Sequence, residues 1–569
     1  MTATARRVLT RFWRLARNFF TPELRWKSIG LLALLLTILL SINGLNVINN
    51  FVGGHFMTAV ASRDAPGFAY YAWLYTGMFL AVTFVDVCKR FVEERLALFW
   101  RDRLTRKLMA RYLANRAYYR LTSRSDVDNP DQRITEDARN FTATTLSFAI
   151  IICNSTIALV AFSGVLWSIT PWVFFAAVIY AAFGVMTTLL LGSRLIGLNV
   201  LQLQKEADLR YDLGRVREHA EPIALAKGER EEATRLGGRL RALVANYLRI
   251  IFVDCRLAFF TTGFNYLVLV VPVLIVAPLF IRGQVPFGSV TQAQMAFAQV
   301  IGAFSLMIIE FQRVSTFAAV VERLGAVWEA TAPSAALAER EASAGPKIEI
   351  VEDGRLAYEE LTVMTRGGHT LIKDLTLDLP SGQRLLVRGP DPEARRALVR
   401  ATAGLWKSGT GKLHRPPLEE TAFVSDHPYL REGTLRDQVA YGVPDGHWVK
   451  DEKLEEILRQ VGFAPVLERV GGLDAERDWV NILSMAEQQE LGFARLLLSE
   501  PRWAFLNEAT SALPAAERAR LYEQLSEAGT QYISVGNDPG LEEFHDLVLE
   551  LRSDGSWKVL PVGKEAINA

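Results

Sequence analysis

A chain of 569 residues, 50% of them hydrophobic and 22% charged, is too long for a single hydrophobic core and too apolar to be disordered. Its 63 Lys+Arg and 62 Asp+Glu give a formal net charge of +1, but residues 1–325 hold 36 basic and 22 acidic side chains, leaving 27 and 40 for the rest. A basic half and an acidic half predict two regions in different surroundings, membrane and cytosol, and the basic, aromatic stretch 101–120 is read as a juxtamembrane stalk, so that no nucleic-acid partner is expected. Cys88, Cys153 and Cys255 show no paired spacing and the 7 histidines do not cluster, so neither a disulfide framework nor a metal site is expected.

The Arg-rich start (Arg6, Arg7, Arg11, Arg14, Arg17) lacks the short apolar stretch and small-residue site of a cleaved signal peptide. Stretches free of Asp, Glu, Lys and Arg then cover residues 28–62, 65–85, 141–193, 257–281 and 283–309. A bilayer takes about 20 helical residues per span. The third stretch, about 80 Å long as one helix, must fold back, and Thr170-Pro171 is the natural hairpin. Six spans are therefore expected. The last, with Gln292, Gln294 and Gln299, should face protein or an aqueous cavity. Arg63 and Arg282 are the only basic residues in the short connections after spans one, three and five. The N-terminus, residues 86–140 and residues 194–256 carry nearly all the others, so both termini are read as cytosolic and the chain as a multi-pass protein of a bacterial inner membrane. Interleaved basic residues and Leu in 101–119 and 201–248 predict cytosolic helical stalks, the first of them attracted to anionic headgroups.

The domain reading is a transmembrane domain over 1–328, a linker rich in Ala, Ser and Glu over 329–346, and an α/β domain over 347–569. In the last, apolar runs at 384–388, 503–506, 532–535 and 547–551 alternate with helical segments, the pattern of a largely parallel sheet. The run Leu385-Leu386-Val387-Arg388-Gly389-Pro390 leads through Asp391 into an amphipathic stretch. This is where a phosphate-binding loop belongs in such a sheet. Gly409-Thr410-Gly411-Lys412 resembles the end of such a loop but has no preceding strand, and is read as a turn.

Leu483-Ser484-Met485-Ala486-Glu487-Gln488-Gln489, then Phe493-Ala494-Arg495, then Ala504-Phe505-Leu506-Asn507-Glu508-Ala509-Thr510-Ser511-Ala512-Leu513 closely resembles the signature and Walker B region of ATP-binding-cassette transporters. In the membrane half, Ala114-Asn115-Arg116-Ala117-Tyr118-Tyr119, Asn129-Pro130-Asp131-Gln132-Arg133-Ile134 with Glu136-Asp137, and Ala220-Glu221-Pro222-Ile223-Ala224 with Gly228-Glu229 resemble the branch of bacterial antimicrobial-peptide and cobalamin uptake proteins and peroxisomal fatty-acyl transporters. The resemblance implies an exporter-type fold of six spans plus an α/β P-loop cassette. It also implies one half-transporter per chain, a homodimer or heterodimer, contact with membrane lipid, and a small peptide or cobalamin-like solute.

Against that pattern the chemistry departs at nearly every station. A working loop reads GxxGxGK followed by Ser or Thr, with backbone N–H groups and Lys on the phosphates and the hydroxyl on magnesium. Gly389 remains, Pro392 and Ala394 replace glycines, Arg395 replaces the Lys and Arg396 the hydroxyl, while Asp391 and Glu393 add carboxylates. Pro removes an N–H donor, and a guanidinium fork does not suit a pocket built for a point charge. Asp426 stands at the glutamine-loop position, Asn507 at the Walker B Asp, Pro514 at the Asp that communicates across the dimer, and Asn537 at the switch His. Ala486 replaces a signature glycine, whereas Ser484 and the expected general base Glu508 are retained. These substitutions predict a cassette that hydrolyses no ATP, with no cofactor and at most weak ATP binding.

Asp86, Asp254 and Glu310 lie at span edges, where carboxylates mark proton or substrate paths. Lys89, Arg256 and Arg313, each two or three residues further on, predict ordinary pairing instead. Glu310, after the Gln-containing sixth span, is the best proton-relay candidate. Three functions compete: a transporter driven by an ion gradient with a structural cassette, the inactive half of an ATP-driven heterodimer, and a membrane-anchored interaction protein that transports nothing. The resemblance favours the first, since the family includes a cassette-less type that takes up peptides.

Overall fold

The computed structural model describes residues 3–20, 25–122, 128–332, 347–365, 367–443 and 449–562, and divides into two units, Met1–Leu337 and Ala338–Ala569. The first unit is helical: α1 (Ala3–Ala16), α2 (Arg25–Ala61), α3 (Ala65–Leu113), α4 (Ala138–Ile169), α5 (Pro171–Glu218), α6 (Ala220–Ala226), α7 (Glu229–Ile281) and α8 (Gly288–Ala330). Local chemistry sets the ends. The Asp64 carboxylate accepts from Gly67 N–H at 3.2 Å to cap α3. Thr170 is extended with φ −165°, and Pro171 opens α5, so the predicted hairpin forms there.

Among the described residues, five helices are long and apolar enough to cross a membrane: Ile29–Ala61, Ala65–Thr122, Pro130–Ile169, Pro171–Thr188 and Glu229–Ile281. The sixth expected span is not among them. Its residues lie in α8, where Ala293, Ala296 and Phe297 are fully buried and the Gln294 amide donates to the Leu269 carbonyl at 3.0 Å. At Gly288, an added Cβ would lie 1.8 Å from the Gly54 carbonyl oxygen, so only glycine lets α2 and α8 approach this closely. Helices α3, α5 and α7, of 49, 48 and 53 residues, are each about twice as long as a bilayer core requires, which makes their polar portions stalks.

The stalk end of this unit is held by buried ion pairs. A π-turn over Arg133–Asp137 turns Asp137 inward at 4% exposure, where Arg323 of α8 grips it at 2.7 and 2.9 Å and Arg133 at 3.3 Å. Helix α8 runs on to Ala330, so Glu329, read from composition as the start of the linker, belongs to the membrane unit and pairs with Arg11 at 2.6 Å. Side-chain bonding decides this boundary, and Ala/Glu-rich composition suits a helix as well as a linker. The rest of the linker, 333–346, lies outside the described residues.

The second unit has strands β1 (Glu349–Glu352), β2 (Leu356–Met364), β3 (Thr370–Leu379), β4 (Leu385–Arg388), β5 (Gly409–Arg415), β6 (Thr421–Ser425), β7 (Trp503–Asn507), β8 (Gln531–Val535), β9 (Leu547–Leu551) and β10 (Trp557–Pro561). They form a four-stranded sheet, β1-β5-β2-β3, and a six-stranded sheet, β10-β9-β4-β8-β7-β6, parallel except for β10. Each apolar run noted in the sequence is a strand buried on both faces, as a parallel sheet covered by helices requires. Gly409–Lys412, read as a turn, instead begins β5, which pairs with both β1 and β2.

Candidate nucleotide-type site in the cassette

In an open parallel sheet, ligands gather at the carboxyl ends of the strands, and that edge here collects Gly389, Asp426, Asn507, Glu508 and Asn537. Strand β4 delivers Gly389 to α9 (Pro392–Thr402), β6 delivers Asp426, β7 delivers Asn507 and Glu508, and β8 delivers Asn537. An added Cβ at Gly389 would lie 2.4 Å from the Leu551 carbonyl oxygen, so this glycine is required by packing alone. Its N–H donates to Asn537 Oδ1 at 3.0 Å.

The anion-binding end of α9 is occupied from within. Asp391 is its N-cap, and its carboxylate accepts from the Glu393 N–H at 2.8 Å. One turn on, Arg395 points inward at 5% exposure and its Nη2 lies 3.2 Å from Glu508 Oε1. Its Nε and Nη1 are buried without a hydrogen-bond partner among the described residues, as is Asn507 Oδ1. Arg396 Nη2 lies 3.9 Å from Asp426 Oδ2, a looser and more exposed pair. Glu508 has φ 51°, held by its own N–H on the Val535 carbonyl at 2.8 Å. The structure thus brings Gly389 to Asn537, Arg395 to Glu508 and Arg396 to Asp426.

Ser484 serves a different purpose. It caps α10 (Met485–Ser499) in a capping box: its hydroxyl accepts from Glu487 N–H at 3.3 Å and its N–H donates to Glu487 Oε2 at 2.8 Å. Burial pushes the Glu487 carboxyl up, but hydrogen bonds from Arg469 and Ser484 outweigh it and hold the group below its ordinary value.

One residue that the sequence reading left without a role is central. Gln489, fully buried on α10, donates to the Asp426 carbonyl at 3.1 Å and the Ser511 hydroxyl at 3.0 Å, and accepts from Ala512 N–H at 3.0 Å. It ties the loop after β6 to the loop after β7. The available signal was an amide side chain on the helix face that also carries Phe493 and Leu496, where a buried polar group needs partners.

Of the proton-relay candidates in the membrane unit, Asp86 pairs with Lys89 at 2.6 Å on its own helix, as the spacing predicted. Asp254 is exposed on α7, and the neighbouring Arg256 lies 4.2 Å over the Phe252 ring. Glu310 is within α8, with its side chain outside the described residues.

Residues 15–281 match the family described as ABC transporter transmembrane region 2. An uncharacterised ABC transporter ATP-binding protein of Synechocystis sp. is 38% identical, covering 95% of this chain and 82% of its own. ABC transporter D family member 2, chloroplastic, of Arabidopsis thaliana is 34% identical over 96% and 88%. The lysosomal cobalamin transporter ABCD4 of Mus musculus is 27% identical over 98% and 97%. With a helical membrane region followed by one α/β cassette, the chain belongs to the ABC transporter family, as a half-transporter of its D-like branch.

Proposed function

We propose that the chain is a six-span half-transporter of a bacterial inner membrane, both termini cytosolic, which pairs with a copy of itself or a second half-transporter. It moves a small peptide-like or cobalamin-like solute by using an ion gradient, and its cassette, an ABC-type ATPase by resemblance, is catalytically inactive. The observation that carries this reading is the Arg395–Glu508 contact at 3.2 Å. A general base in phosphoryl transfer works only on a positioned phosphate and metal. Here a guanidinium takes the base.

The residues at the strand ends do not fit Mg-ATP. Asp391 takes a first-turn N–H of α9, Pro392 offers none, Arg396 faces Asp426 at a metal-ligand position, and Asn507 lacks the charge that orients a divalent ion. This favours no cofactor and at most weak ATP binding. The sixth span draws support from the Arg11–Glu329 pair at 2.6 Å, which joins a helix preceding the first span to the end of α8. Such a contact requires an even number of crossings between them. The cobalamin reading draws on the name of the mouse relative.

The test is uptake of a labelled peptide and of cobalamin into proteoliposomes holding this chain alone, with ATP and an imposed proton gradient varied separately. Gradient-dependent uptake abolished by Glu310→Gln and indifferent to ATP is expected. ATP-dependent uptake would overturn the inactive-cassette reading. No uptake under either condition, with a second half-transporter co-purifying from native membranes, would show this chain to be the inactive half of a heterodimer.

A further inference from the structure

Helix α1 carries two faces of different chemistry. The inner one presents Arg11, at 4% exposure, and Leu15, at 1%, to the bundle, with Phe19 of the following turn. Leu15 and Phe19 share a hydrophobic cluster with Leu35 and Leu39, which lie within the first two or three turns of the span Ile29–Ala61. Arg11 and Arg14 fix the axis by binding Glu329 at 2.6 and 3.1 Å, and the Arg11 Nη1 donates to the Glu322 carbonyl at 3.0 Å. The helix is therefore pinned by one face to the bundle near the start of the first span and turns the other to its surroundings.

The outer face shows what is left for that environment. Arg6, Leu9, Trp13 and Arg17 follow one another at spacings of three and four residues and so lie on one stripe. All four are exposed, Trp13 to 64% and Leu9 to 45%. Trp26, at 83%, and the exposed Lys27 continue the same composition at the start of α2. An indole and a leucine flanked by guanidinium groups is an unfavourable surface in water but suits a bilayer interface, with the ring at the glycerol level and the cations on lipid phosphates. Glu23 is the only acidic residue before Asp64, so the charge complements an anionic lipid surface.

We infer that the Arg6–Leu9–Trp13–Arg17 face of α1 is a binding surface for anionic phospholipid headgroups. Through Arg11, Arg14 and Glu329 this surface is joined to the end of α8, so lipid charge bears on the helix that leads out of the membrane unit. The inference stands apart from the transport reading and needs no assumption about the energy source or solute.

The experiment uses the full chain in nanodiscs of brominated phosphatidylcholine, with or without phosphatidylglycerol, and isolates Trp13 as the difference in emission between the wild type and Trp13→Phe. Bromine quenching of Trp13 by about twofold or more is expected with phosphatidylglycerol, falling towards the phosphatidylcholine value in Arg6→Gln/Arg17→Gln, whose inner face is intact. Amide exchange over residues 3–16 should slow in parallel. Trp13 emission that ignores brominated lipid in both discs would overturn the inference. So would equal amide protection in detergent and in anionic discs, which would mean that a protein surface, of a second copy or another chain, covers this face.

Discussion

Arg395 Nη2 stands 3.2 Å from Glu508 Oε1, so the carboxylate expected as a general base and the guanidinium expected in place of a loop lysine neutralise each other inside one chain. The guanidinium is 6% exposed and the carboxylate 26%, so removing the carboxylate leaves a largely buried cation with no counter-charge. In Glu508→Gln the cassette should lose about 2–3 kcal/mol, seen as a fall of roughly 5 °C or more in the unfolding midpoint of the purified full chain. Arg395→Met combined with Glu508→Gln should recover most of it, because an apolar pair of similar volume avoids the unpaired charge. A midpoint unchanged by Glu508→Gln alone would show that the pair contributes nothing.

Nucleotide should leave that midpoint where it is. A ligand at a hundred times its dissociation constant stabilises by about 2.7 kcal/mol, enough to move a domain of this size by several degrees. With Asp391 on the α9 N-terminus and Arg395 on Glu508, millimolar Mg-ATP should shift the wild-type midpoint by less than about 1 °C. A shift of several degrees, abolished by Arg396→Ala, would reveal a working nucleotide site.

Much of this was legible in the sequence because it is local. The apolar runs that became β4, β7, β8 and β9 announce themselves by composition, and the departures at Asp391, Pro392, Asp426 and Asn507 by position in a motif. Illegible was whatever joins residues far apart in the chain. Nothing near Arg395 says that it meets Glu508, and nothing near Asp137 says that its partner is Arg323, 186 residues away. The extent of α8 was illegible for the same reason, since Glu329 is fixed by Arg11 and by no feature of its own segment. Gln489 shows the converse. A buried amide promises hydrogen bonds, but which loops it joins depends on the sheet order.

Burial makes the cassette sensitive to pH through Glu490. Packed on α10 at 7% exposure, its carboxyl is raised from 4.5 to about 7, first by burial and then by Glu517, with Arg520 opposing. A carboxyl whose folded value lies above its unfolded one binds its proton more tightly in the native state. Its favourable contribution is complete below about pH 4.5 and is lost as pH rises through about 7. The cassette should therefore weaken between these limits by up to about 3 kcal/mol on this account alone. Glu490→Gln, neutral throughout, should flatten that slope and raise the midpoint at pH 7.5. Parallel slopes for the two proteins would place the pH dependence elsewhere.

The Arg11–Glu329 pair sets a test of sidedness. Joined at 2.6 Å, α1 and the end of α8 lie on one side of the membrane. Five candidate spans separate Ile29 from Ile281, so α8 must supply a further crossing if both ends are to meet. The turn between α7 and α8, which contains Gln284, then lies on the opposite face from Thr10. With Cys88, Cys153 and Cys255 replaced by alanine, Gln284→Cys should react with an impermeant maleimide added to intact cells, and Thr10→Cys only after the membrane is opened. Labelling of both positions from one side would contradict a sixth span, and labelling of both in intact cells would also contradict the placement of α1 and the end of α8 in the cytosol.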